Sequence, residues 1–82
     1  MRAISRNLDL IFVQEVPTGT INGSNVTFSL GFAPAFPLGV MGYCDRLPLI
    51  NGVDYTISGV TITMGAAPAL GQDLFFSYMR RN

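Results

Sequence analysis

The sequence predicts an all-β protein, a single small antiparallel β-sandwich or jelly-roll-like domain with an extended N-terminal arm. Three observations predict it. Apolar residues recur at every second position along most of the chain, Gly/Pro/Asn-rich turns separate these runs at short spacing, and no segment carries helical periodicity. Short strands joined in this way close into sandwiches, jelly rolls or small barrels.

The elements follow in order. "MRAISRNLDLIFVQE" has no turn residue apart from Asn7 and becomes apolar only at "LDLIFV". It reads as an arm over residues 1–14 ending in a possible first strand, or as an edge strand with a frayed start. Residues 15–82 then form the sandwich. In "VTFSL", Val26, Phe28 and Leu30 face one way, with Thr27 and Ser29 opposite. "VMGYC" is a short apolar strand that places Cys44 in phase with Gly42. Tyr55 and Ile57 alternate with Thr56 and Ser58, Ser58-Gly59 supplies a tight turn, and Val60, Ile62 and Met64 alternate with Thr61 and Thr63. In "LFFSYM" one face holds Leu74, Phe76 and Tyr78, and the other holds Phe75 and Met79 around Ser77. A strand apolar on both faces needs a second cover, from an arm or a neighbouring subunit. "PTGTINGSN", "GFAPAFPLG", "LPLING" and "GAAPALGQD" read as the intervening turns.

Composition narrows the function. The chain has 82 residues, enough for one domain that buries only about 60% of its unfolded surface. Charged residues are 12% against the usual ~25%, and the net charge is zero. Such a chain associates readily, and a homo-oligomer or a subunit covered by neighbours is expected. The prolines within the uncharged stretch from Val16 to Cys44 argue against a spanning helix. Arg2, Arg6, Arg80 and Arg81 cluster at the two ends of the chain. Without an aromatic-studded basic patch they are poor grounds for nucleic acid, and solubilisation or docking on an acidic protein surface is the simpler reading.

The chemistry sought is largely missing. There is no histidine, which removes nucleophile–histidine catalysis, and the single cysteine, Cys44, removes an internal disulfide and a structural zinc site. The carboxylates Asp9, Glu15, Asp45, Asp54 and Asp73 fall at expected strand ends or turns. Asp54 is expected to cap its turn in preference to holding calcium. No catalytic activity, cofactor, metal or small-molecule substrate is expected.

Several short motifs recur in a telling order. Pro17-Thr18-Gly19-Thr20-Ile21-Asn22-Gly23 enters a strand centred on Phe28; the hairpin Asp54 to Gly59 follows; Pro68 to Asp73, with Gln72 inserted, leads into a strand ending Tyr78-Met79-Arg80. This succession resembles a small β-sandwich module common in virion proteins of tailed bacteriophages. The chain departs from that module at Asp45-Arg46, where an Asn-Gly turn is usual, and in the aromatic content of residues 31–39. The resemblance implies a non-enzymatic virion structural protein, a multi-copy accessory subunit attached to capsid or tail as a decoration, cement or tail-associated protein, with other virion proteins as partners. The alternative is a receptor- or glycan-binding module of an adhesion apparatus, using the loop 31–39 and the tip 45–47. Candidate protein contacts are Arg2, Arg6, Leu10 and Phe12 in the arm, Phe32 and Phe36 in the loop, Asp45 and Arg46 at the tip, and Phe75 and Met79 on the last strand.

Overall fold

The computed structural model describes residues 9–82. Among them are seven strands: β1 (Leu10–Glu15), β2 (Thr27–Ser29), β3 (Met41–Cys44), β4 (Leu47–Leu49), β5 (Tyr55–Ser58), β6 (Thr61–Met64) and β7 (Leu74–Arg81). One turn of 3₁₀ helix covers Pro37–Gly39. All strand pairs are antiparallel and form two sheets, one in the order β1-β7-β3-β4 and the other β2-β6-β5. The result is a two-layer all-β sandwich.

Alternation decides which side chains enter the core, because successive residues of a strand point to opposite faces. Phe76 and Tyr78 of β7 face Phe28, Tyr55 and Ile62 of the smaller sheet, all essentially excluded from solvent. Each contributes about 1.5–3 kcal/mol through burial. Tyr55 meets Phe76 edge-on, with ring centroids 5.1 Å apart and planes at 81°, the arrangement that ring quadrupoles favour. Gly42 makes that contact possible. A Cβ at this position would lie 2.5 Å from Phe76 and 3.0 Å from Tyr55.

The hairpins show how turn chemistry sets register. Ser58 pairs with Thr61, which leaves Gly59-Val60 as the loop. The turn therefore lies one residue beyond the expected Ser58-Gly59, because Gly59 at φ 61 supplies the positive angle at the first central position. "LPLING" was expected as turn alone, yet Leu47–Leu49 is a strand paired with β3. Pro48 fits there because β4 is an edge strand, where one lost donor breaks no ladder. Asp54 behaves as a turn cap, its carboxylate accepting the Ile50 N–H at 2.7 Å. At the other end of the chain, β1 pairs along its whole length with β7, from Leu10 opposite Arg81 to Glu15 opposite Phe76. The strand expected at the end of the arm is thus an edge strand of the larger sheet, and the rest of the expected arm, with Arg2 and Arg6, lies outside the described residues.

Candidate interaction surface

The two outward faces of the sandwich differ in kind. In the smaller sheet, Thr27 and Thr56 flank Thr63, and Ser29 and Ser58 flank Thr61. That face is a field of hydroxyls. In the larger sheet the registers align Leu10 with Arg81, Phe12 with Met79, Gln14 with Ser77, Met41 with Ser77, and Tyr43 with both Phe75 and Pro48. This face is apolar and aromatic, and Arg81 at one end is its only charge among the described residues. Phe12 is 61% exposed and Met41 53%.

Of the residues singled out in the sequence, this face gathers Leu10, Phe12, Phe75 and Met79. The second apolar phase of β7 is half-buried, and its cover comes from the sheet itself. Phe75 stacks on Tyr43 at 4.8 Å between ring centroids and 14° between planes, and Met79 lies opposite Phe12. What remains open is the row Phe12, Met41 and Pro48.

Phe32 and Phe36 sit at one end of the sandwich, beside the C-terminal half of β7. The guanidinium of Arg80 lies 4.1 Å from the Phe32 ring centroid, and that of Arg81 lies 6.0 Å from Phe36. Each ring therefore already has a cation on one face. The loop is tied down along its length. Ala35 N–H donates to the Met79 carbonyl at 2.7 Å, and Asn51 donates to the carbonyls of Pro37 and Val40. Glu15, expected only as a strand-end carboxylate, anchors the start of the loop. Its carboxylate accepts the Gly31 N–H at 3.1 Å and the hydroxyl of Tyr78, which in turn accepts the Phe32 N–H at 3.3 Å. Burial, then the bond to Glu15, then that carboxylate's charge push the Tyr78 phenol up to about 12.

Asp45 and Arg46 occupy the opposite end, roughly 24 Å away along a strand the length of β7. Both central residues of their turn have positive φ, 52 and 70, as a type I′ turn demands. Asp45 holds the turn. Its backbone N–H reaches the Asp73 carbonyl at 2.8 Å, and its carboxylate accepts from Asp73 N–H at 2.8 Å and Gln72 Nε2 at 3.1 Å. Asp45 and Gln72, 27 residues apart in two different turns, are thus bonded to each other. Arg46 borders a groove of about 460 Å³, with Val16, Ile21 and Asp73 as further walls. Gln14 and Phe75 also line it and belong to the apolar face, so groove and face are continuous.

Cys44 is partly buried on the inner side of β3. Burial, followed by the charges of Asp45 and Asp73, raises its thiol pKa. Among the described residues no three Cys, Asp or Glu side chains converge as a metal site would require. No helix among them is long and apolar enough to cross a membrane. The class these observations define is a small all-β sandwich with one hydroxylated and one apolar outward face. Comparison with protein-family models, curated proteins and solved structures finds no match to the chain.

Proposed function

We propose that this protein is a non-enzymatic structural subunit of a tailed-phage virion, present in many copies and attached to capsid or tail through the apolar face of its larger sheet. The observation that carries the reading is the inequality of the two outward faces, one of Thr and Ser, the other of Leu10, Phe12, Met41, Tyr43 and Phe75. A free-standing domain has no need of a largely apolar, aromatic face, whereas a subunit that covers it with a neighbour does. The ordered motifs shared with phage sandwich modules support the virion setting. The glycan-binding alternative is less well supported, since Arg80 and Arg81 already occupy one face of the rings a sugar would stack on.

Quantified gels of purified virions test the reading. A band at high, symmetry-matched copy number is expected, and its absence from particles overturns it. Particles lacking the protein should also bind the added chain and co-sediment with it.

A further inference from the structure

We propose that β1 is a pairing strand that joins two copies of this chain edge to edge, antiparallel, about a two-fold axis through Phe12. Among the described residues, the edges of the two sheets are not alike. β4 carries Pro48 at its centre, which removes a donor, and Thr18 already bridges to Ser29 beside β2. β5 is four residues long. β1 has six residues, contains no proline, and carries no charge from Leu10 to Gln14. Natural edge strands are usually shortened, charged or interrupted, because an open row of backbone groups invites another strand.

The hydrogen-bond phase fixes the register. Asn82 N–H donates to the Asp9 carbonyl at 3.0 Å, so the backbone of Asp9, and by alternation that of Ile11, Val13 and Glu15, faces β7. Ala35 bonds the Met79 carbonyl from the far side of β7, which confirms that phase. The N–H and C=O groups of Leu10, Phe12 and Gln14 therefore point out of the open edge. Faces match across a two-fold axis perpendicular to the sheet only if the paired residue numbers sum to an even value. Centring on Phe12 satisfies this. It sets Leu10 against the second copy's Gln14, Phe12 against its own counterpart, and Ile11 against Val13. All three outward-facing residues then exchange reciprocal backbone bonds. The two Phe12 rings meet on the apolar face beside Met79 of each copy, and the two faces become one.

A second copy suits this edge better than a charged partner does. The strand is neutral over its exposed length, and two chains of zero net charge do not repel at long range. The two acids this register brings opposite each other, Asp9 and Glu15, lie at its ends. Glu15 is held by Gly31 and Tyr78. The inference gives a specific form to the self-association expected above. It concerns the isolated chain, so its failure leaves the virion reading standing.

Cysteine scanning in a Cys44→Ser background tests it. Cα atoms in a reciprocal antiparallel pair are about 5.5 Å apart, within disulfide reach. Phe12→Cys alone should oxidise to a covalent dimer. Leu10→Cys and Gln14→Cys should each stay mostly uncrosslinked alone but join when mixed. Phe12→Lys, at an exposed position, should still melt cooperatively as a folded monomer, with a midpoint no longer dependent on concentration, and lose the dimer in sedimentation. A wild-type chain that remains monomeric at ~100 µM overturns the proposal. So does cross-linking through Leu10→Cys alone with none through Phe12→Cys.

Discussion

At the scale of single residues, two groups have measurable consequences. The Tyr78 hydroxyl links Glu15 to the start of the aromatic loop. Its folded pKa of about 12 lies above the ordinary 10.0. The folded state therefore holds this proton more tightly than the unfolded chain. The stability that follows is complete below pH 10 and lost as pH climbs toward 12. Thermal melts from pH 9 to 12 should show this decline, and Tyr78→Phe should make it shallower; Tyr55, raised chiefly by burial, retains its share. At neutral pH the same substitution leaves Glu15 short of one donor and should cost about 1–3 kcal/mol. Arg46 has the opposite balance. At φ 70 it occupies a conformation that costs a non-glycine residue about 1–2 kcal/mol. Arg46→Gly should raise the melting temperature by several degrees, since ~1 kcal/mol corresponds to roughly 4–8 °C in a domain this small. A destabilised glycine variant would mean that the Arg46 side chain contributes more than its backbone strain removes.

At the scale of elements, β3 and β7 control the fold together. Gly42→Ala forces a methyl group into the Tyr55–Phe76 contact, 2.5 Å from one ring. Because β7 is held between β1 and β3 the ring cannot retreat freely, and overpacking of this kind costs about 1–3 kcal/mol. A chemical-denaturation midpoint unchanged from wild type would show that the sheet yields there. The strands around Phe28, Tyr55, Ile62 and Phe76 were legible in the sequence because a half-buried strand writes its period directly into residue type. Leu47–Leu49 was not, since Pro48 signals a turn unless its edge position is known. Strand order also escaped the reading. Nothing local indicates that β7 lies between β1 and β3, and this placement alone turns Phe12, Tyr43 and Phe75 into one face. Glu15 was hidden for the same reason, as its partner Tyr78 is 63 residues away. Among the expected contacts, Phe32 and Phe36 stand out in the sequence only by the aromatic content of their loop, and their arginine partners follow from the course of that loop along β7.

At the scale of the whole molecule, the polarity of the sandwich predicts which substitutions matter for assembly and which do not. Met41 is at the middle of the apolar face, 53% exposed, and opposite Ser77. Covering a buried apolar side chain contributes about 1.5–3 kcal/mol, so covering the exposed half of Met41 contributes ~1 kcal/mol, roughly a fivefold change in affinity. Met41→Gln should therefore weaken attachment to particles about fivefold while the melt stays near wild type, since the side chain already meets water in the isolated chain. Thr61→Gln and Thr63→Gln, on the hydroxyl face, should leave attachment unchanged. Co-sedimentation over a concentration series reads all three variants, and circular dichroism separates lost contact from lost fold. Equal losses on both faces would point to general surface adhesion. A loss confined to the threonines would move the contact to the smaller sheet and overturn the apolar face as the attachment surface.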